Sequence, residues 1–136
     1  MDPKLHLRRT DDESLVDALH TLCFPGDDTE PYDASWVLYA GDFPCGFCTA
    51  RLLKKEPGVF LSRAGVLAPF AGRGAQRRMI RVRERWARAE GADYALTYTT
   101  LDNHPSIANL IKSGYQLYKP AHEWGGPNKL YFHKQL

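Results

Sequence analysis

The segment from Val66 to Arg78, VLAPFAGRGAQRR, constrains the fold of this chain more than any other. An apolar, strand-like run stops at a Gly-Arg-Gly turn, and a basic helix follows it. Gly72 and Gly74 permit positive φ, which lets successive backbone N–H groups converge on one anion. Such a turn at a helix N-terminus is a natural seat for a phosphate. The segment therefore predicts a strand–turn–helix unit that binds a phosphorylated ligand.

The pattern differs from two common phosphate-binding motifs. No Gly-Lys-Ser/Thr follows the turn, so it is not a P-loop, and Arg77 stands where the dinucleotide motif has its third glycine. Arg73, Arg77 and Arg78 add positive charge beside the turn. Taken alone, the segment also fits an ordinary strand-to-helix turn with a solvated arginine face.

Length and composition predict a single domain over residues 1–136. The chain is 43% hydrophobic, which is ordinary for a globular protein, and its net charge of +2 does not indicate a nucleic-acid partner. No signal-peptide pattern and no membrane-spanning run is present, so we expect a cytoplasmic protein without a membrane partner. Cys45 and Cys48 form a C-x-x-C pair without two further ligands, so no metal site is predicted.

Hydrophobic periodicity and turn residues predict the order β-α-β-β-β-α-β-α-β-β, with a further helical turn as an option within residues 24–34. The predicted strands are 4–9, 36–40, 43–53, 59–67, 93–100, 115–118 and 129–133. The predicted helices are 12–22, 75–90 and 105–113. The predicted apolar faces are Leu15, Val16, Leu19 and Leu22 on the first helix, and Ala75, Met79, Val82 and Trp86 on the second.

A second informative segment runs from Asn103 to Tyr115. Asn103 lies at the predicted N-cap of a helix, and Gly114 closes that helix eleven residues later. Taken alone, the segment is an ordinary capped helix. Together, however, the two segments resemble the GNAT N-acetyltransferase superfamily. The matching positions are Val66, Phe70, Gly72 and Gly74 in its cofactor segment, and Asn103, Ser106, Gly114 and Tyr115 in its second signature.

The chain also departs from the pattern of that superfamily. Ala68 stands where proline is usual, and Gln76 replaces the final small residue of the glycine-rich turn. Leu110 occupies the place of the tyrosine that often protonates the departing CoA thiolate. The residue that would fill this acid role is therefore unassigned.

The resemblance implies an α/β (α+β) fold with a mixed, mostly antiparallel central sheet of about seven strands and helices on both faces. It implies transfer of an acetyl group from acetyl-CoA, as cosubstrate, directly to a primary amine of a small molecule, amino acid or peptide. The implied cofactor-binding residues are Val66, Leu67, Gly72, Arg73, Gly74, Ala75, Gln76, Arg77, Arg78, Asn103 and Ser106.

The chemistry needs a neutral amine, so a base or a water chain must remove a proton. Tyr98 and His104 are the candidate catalytic residues, with Cys23 as a third, and direct release of the thiolate to water stays open. Tyr98 equally fits a packed strand aromatic, and His104 a surface histidine. The candidates for the acceptor site are the aromatic residues Phe24, Tyr32, Trp36 and Trp124, and Arg51 or Arg63 for a carboxylate.

Two other classes of function compete with the enzyme. Leu110 in the tyrosine position favours an acyl-CoA-binding sensor with weak or no catalysis. A nucleic-acid binder would use the arginines of the second helix, but these point several ways and Glu84 and Glu90 dilute their charge. We therefore expect a solvated helix face, no nucleic-acid partner, and either a monomer or a homodimer.

Overall fold

The computed structural model of the protein describes residues 4–136, which form seven strands and three α-helices. The strands are β1 (Leu5–Thr10), β2 (Ala34–Ala40), β3 (Phe43–Leu52), β4 (Gly58–Val66), β5 (Tyr94–Thr100), β6 (Gln116–Tyr118) and β7 (Lys129–Gln135). The α-helices are α1 (Glu13–Cys23), α2 (Ala75–Ala89) and α3 (His104–Lys112), and a short 3-10 helix covers Ala68–Phe70.

All seven strands belong to one sheet in the order β1-β2-β3-β4-β5-β7-β6. The pairs β1–β2, β2–β3, β5–β7 and β6–β7 are antiparallel, whereas β4 and β5 are parallel and pair Gly58–Phe60 with Tyr94–Leu96. The prediction of a mixed, mostly antiparallel seven-stranded sheet is confirmed. The optional helical turn within residues 24–34 is absent, since this described segment contains no helix.

The chain divides into two compact units. The first holds the chain up to Arg51 together with Ser62–Met79, and the second holds Leu52–Leu61 with Ile80–Leu136. In the first unit, α1 packs on the sheet through Val16 and Leu19, which meet Val37 of β2 and Phe47 of β3. Burying this apolar face is what holds α1 on the sheet.

The buried face of α1 differs from the predicted one. Leu22, predicted to face the core, is 64% exposed, whereas His20 is only 3% exposed. The buried Val16, Leu19 and His20, with the half-buried Cys23, follow the i, i+3, i+4, i+7 spacing of one helical face. The physical reason is that the buried face of α1 includes His20. A pattern based on apolar residues alone does not assign a histidine to the buried face.

The second unit contains a buried polar cluster of Glu84 on α2, Lys134 on β7 and Tyr115, which directly precedes β6. Glu84, which the sequence suggested as a surface charge, is 3% exposed. The Tyr115 hydroxyl donates to Glu84 Oε2 over 2.8 Å, and Lys134 Nζ lies 3.0 Å from the same oxygen. Burial, and then the charge of Glu84, raises the pKa of Tyr115 well above its ordinary value. Glu84 therefore serves the core of this unit rather than the helix surface.

Candidate functional site

The turn before α2 exposes backbone donors to an anion. Gly72 and Gly74 have φ of +78° and +77°, and a Cβ added to either would meet no atom within 4 Å. The first bond of the helix runs from Arg78 N–H to the Gly74 carbonyl. In the described part of the chain, the backbone N–H groups of Ala75, Gln76 and Arg77 donate to no backbone carbonyl. This turn, residues 72–77, is here called the cradle. It has the open space and the unpaired N–H groups that a phosphate requires.

Two of the three arginines near this turn are held by neighbours. The Arg73 guanidinium lies over the Phe70 ring at 5.7 Å, and Phe70 stacks on Phe43 of β3 at 5.7 Å. Arg78 binds β1, since its Nη1 donates a hydrogen bond to the Leu5 carbonyl over 2.9 Å. Its guanidinium ties α2 to β1, while Arg77 is exposed. Arg73 and Arg77 are both solvent-exposed, and Arg73 keeps its contact with Phe70.

Val66 and Leu67 lie where β4 leads into the turn. The Leu67 N–H donates to the Cys45 carbonyl of β3 over 2.8 Å. A Cβ on Gly46 would lie 2.7 Å from the Gly65 carbonyl oxygen, so β3 and β4 approach closely at this point and glycine is required. These contacts fix the backbone that enters the cradle.

In the second unit, Asn103, His104 and Ser106 lie together in the first turn of α3. Asn103 is the predicted N-cap, and its side-chain oxygen accepts a hydrogen bond from Ser106 N–H over 3.3 Å. His104 is exposed at the first position of the helix. Leu110, at the place of the usual tyrosine, is 4% exposed and carries no hydroxyl. The segment is a well-formed capped helix, and its role in binding or catalysis stays a prediction.

Tyr98 and Trp124, predicted for different roles, are in contact. Their ring centroids are 5.3 Å apart, and both rings pack on Phe60 of β4, at 5.6 and 5.3 Å. Gly125 passes so close that an added Cβ would lie 2.5 Å from the Tyr98 ring. The Tyr131 hydroxyl accepts from Gly125 N–H and donates to the Gly126 carbonyl. These aromatic contacts hold the loop before β7 in place.

In the first unit, two aromatic residues that were both predicted for the acceptor site lie apart. Phe24 packs against Phe47 with centroids 6.2 Å apart, in the cluster that includes Val37. Trp36 precedes Val37 in β2, so its side chain points to the opposite face of the sheet. There it lies under Arg9, whose guanidinium is 5.3 Å from the ring. Phe24 and Trp36 therefore cannot line one pocket.

A small pocket in the first unit, here called the His20 pocket, lies between α1, the segment 24–33, β3 and β4. It contains space for about one water molecule. Its polar lining includes Asp17, His20, Glu30, Tyr32 and Arg63. Arg63 Nη1 lies 3.3 Å from Asp27 Oδ2, and Nη2 lies 4.0 Å from Glu30 Oε1.

His20 was not among the predicted site residues. Its position at the apolar spacing on α1 was the available signal, because a histidine there must be buried. In the described residues no group of three or more His, Cys, Asp or Glu side chains is arranged to hold a metal ion. No helix within residues 4–136 is long and apolar enough to cross a membrane.

Comparison with known proteins identifies the family. A model of the Acetyltransferase (GNAT) family matches residues 5–115, which cover most of the chain. The chain belongs to the GNAT acetyltransferase family, as the two sequence segments indicated. A search of curated protein sequences finds no significant match.

Solved structures show the same fold at low sequence identity. The IAA acetyltransferase from Bacillus cereus ATCC 14579 superposes with a TM-score of 0.79 at 14% identity, over 98% of this chain and 100% of that chain. Arabidopsis thaliana NAA60 in complex with acetyl-CoA has the same TM-score, identity and coverage. Arabidopsis thaliana Naa50, in complex with the bisubstrate analogue CoA-Ac-MVNAL, has a TM-score of 0.78 at 20% identity over 97% and 99% of the two chains.

Proposed function

We propose that this protein transfers an acetyl group from acetyl-CoA to a primary amine. The cradle before α2 carries the proposal, because it combines positive-φ glycines with unpaired N–H groups at a helix N-terminus. The backbone N–H groups of Ala75, Gln76 and Arg77 would bind the pyrophosphate, and Arg73 and Arg77 would add charge. Gly72 and Gly74 leave open the space that the phosphate oxygens would fill.

The reaction is a direct transfer. The neutral amine attacks the thioester carbonyl carbon, a C–N bond forms and the C–S bond breaks, so the CoA sulfur leaves as a thiolate. The Val66 N–H would polarise the carbonyl oxygen. An alkylamine has a pKa of about 10.4, so a proton must leave before attack and one must reach the thiolate or the solvent. Tyr98 and His104 remain the candidates for these proton transfers.

The cytoplasm is the proposed location. No disulfide joins Cys23, Cys45 and Cys48, which fits a reducing compartment.

One observation favours a second candidate function, an acyl-CoA-binding sensor without turnover. Leu110 is buried and cannot donate a proton to the thiolate. Release of free thiol from acetyl-CoA over a panel of amines separates the two candidates. Turnover with any amine supports the enzyme, and tight acetyl-CoA binding without turnover supports the sensor.

The cradle itself is tested by calorimetric titration of the intact protein with acetyl-CoA. Gly74→Ala places a Cβ in the proposed phosphate seat, and we expect affinity to fall by about tenfold or more. Gly91→Ala is the matched control, since Gly91 lies beyond the C-terminal end of α2 with φ of +91° and equally open space. Both variants carry the same backbone strain. Equal affinities in both variants would place the phosphate seat elsewhere.

A further inference from the structure

His20 is buried with neither ring nitrogen satisfied. Within residues 4–136, Nδ1 and Nε2 have no hydrogen-bond partner. The ring packs between Phe24 and Phe47, with centroid distances of 5.5 and 5.8 Å. Buried polar groups in native proteins are hydrogen-bonded as a rule, because an unpaired one retains its desolvation cost. Since His20 lines a pocket, a ligand in that pocket can supply the missing partner.

The surroundings of the pocket are acidic. Residues 11–33 contain no lysine or arginine, and their acidic residues are Asp11, Asp12, Glu13, Asp17, Asp27, Asp28, Glu30 and Asp33. Arg63 supplies positive charge to the lining, but Asp27 and Glu30 pair with it. Burial raises the pKa of Tyr32, and the charges of Glu13 and Asp17 raise it further. The negative field of α1 thus reaches the pocket.

The pocket lies close to the end of β4 that enters the cradle. Phe24 packs on the His20 ring, and its Cε2 would lie 3.2 Å from a Cβ on Gly65. Cys23 Sγ would lie 2.8 Å from the same Cβ, so α1 meets β4 where only glycine fits. Gly65 precedes Val66, whose N–H is the proposed donor to the thioester. A flexible acceptor anchored beside His20 could therefore extend past Phe24 towards that N–H.

We propose that the His20 pocket binds one ammonium group of an aliphatic diamine or polyamine, whose other amine is the acetyl acceptor. An ammonium group is about the size of the water molecule that the pocket can hold. A ring nitrogen of His20 that carries no hydrogen accepts a hydrogen bond from it, and Asp17 and Glu30, which line the same pocket, balance its charge. The proposal rests on the proposed acetyltransferase function and names the substrate class of that site.

Direct binding to the intact protein tests the pocket. Calorimetry is carried out with 1,4-diaminobutane and with two compounds of similar length, 1-aminobutane and 1-butanol. Both amines should bind, since each carries an ammonium group for the pocket, and 1-butanol, which carries none, should bind at least about tenfold more weakly. Equal affinity for the three compounds would overturn the proposal.

Variants then locate the binding. Asp17→Asn, on the exposed side of α1, should weaken diamine binding about tenfold. Asp28→Asn is the matched control, because it removes the same charge from an exposed residue outside the pocket lining, and its affinity should change less than about twofold. Equal losses in the two variants would indicate general attraction to an acidic surface and would overturn a specific pocket.

The involvement of His20 can be measured directly by NMR. The nitrogen chemical shifts of its ring should change when the diamine binds, and the conservative variant His20→Gln should retain part of the affinity that His20→Leu loses. If either variant fails to fold, the shifts in the intact protein and the Asp17→Asn result decide. An unchanged His20 signal at saturating diamine would contradict the proposal.

Assays of thiol release from acetyl-CoA distinguish a failure of the diamine proposal from a failure of the proposed acetyltransferase function. Acetyl transfer to monoamines as fast as to diamines, and unaffected by Asp17→Asn, would retain the acetyltransferase and reject the diamine. Binding of the diamine that depends on Asp17, without thiol release for any amine, would support the pocket and reject the acetyltransferase.

Discussion

Glu84 in the second unit and His20 in the first are buried to the same extent, each 3% exposed, but they differ in their hydrogen-bond partners. Glu84 accepts the Tyr115 hydroxyl and pairs with Lys134, whereas His20 has no partner for either ring nitrogen within the described residues. Asp17 and Glu30 line the same pocket as His20. Glu84 thus finds its partners within the fold, whereas the partner of His20 is, on our proposal, a ligand.

The physical basis is the cost of desolvation. A buried carboxylate is tolerated when charge-assisted hydrogen bonds replace its water, as Tyr115 and Lys134 do for Glu84. A neutral imidazole is cheaper to bury than a carboxylate, so the first unit can leave His20 unpaired and still fold. We therefore expect substitutions at Glu84 to lower stability much more than substitutions at His20.

The largest effect should come from Glu84→Ala. This change leaves the buried Tyr115 hydroxyl and the Lys134 ammonium without their acceptor. We expect a loss of about 2–4 kcal/mol in the free energy of unfolding, since Lys134 is partly exposed and recovers some solvation. Urea unfolding measures the loss. Glu90→Ala, at an exposed position beyond α2, should change stability by less than about 0.5 kcal/mol.

Tyr115→Phe should have a smaller effect. It removes the hydroxyl that donates to Glu84, but Lys134 remains 3.0 Å from the carboxylate. The expected loss is about 1–2 kcal/mol, again by urea unfolding. A loss as large as that of Glu84→Ala would mean that the hydroxyl, rather than the ammonium, satisfies the buried charge.

The hydrogen bond between Tyr115 and Glu84 also predicts that stability depends on pH in the alkaline range. The pKa of Tyr115 is raised in the folded protein, so its contribution to stability is complete below the unfolded value of about 10 and declines as the pH rises further. Above about pH 10, the unfolded state loses this proton while the native state keeps it. The free energy of unfolding should fall by up to about 1.4 kcal/mol per pH unit from this group. Tyr115→Phe should show a shallower decline between pH 9 and 11, and identical slopes would contradict the assignment.

His20→Leu should have the smallest effect on stability. It replaces two unsatisfied nitrogens by apolar atoms beside the rings of Phe24 and Phe47, so the free energy of unfolding should change by less than about 1 kcal/mol or rise. Thermal and urea unfolding of the ligand-free protein measure this change. A loss of more than about 2 kcal/mol would show that His20 supports the fold and would remove the contrast with Glu84.

Much of the fold could be predicted because its signals are local. Asn103 acts as the predicted helix cap through its own side chain, and Gly91 and Gly114 end helices through positive φ. The seven-stranded sheet and the GNAT family followed from strand spacing and two short segments. The predicted faces of α1 and α2 were less accurate, because Leu22 is exposed and Glu84 is buried.

The sequence by itself determined the order of the elements, the glycine cradle before α2 and the acidic character of residues 11–33, since each depends on neighbours along the chain. Only the tertiary structure decided which polar side chains are buried and with what partners. Glu84 meets Lys134 fifty residues away, and His20 meets Phe47 of another element. Such contacts depend on how helices pack on the sheet, and a charge or a histidine carries no local mark of its burial.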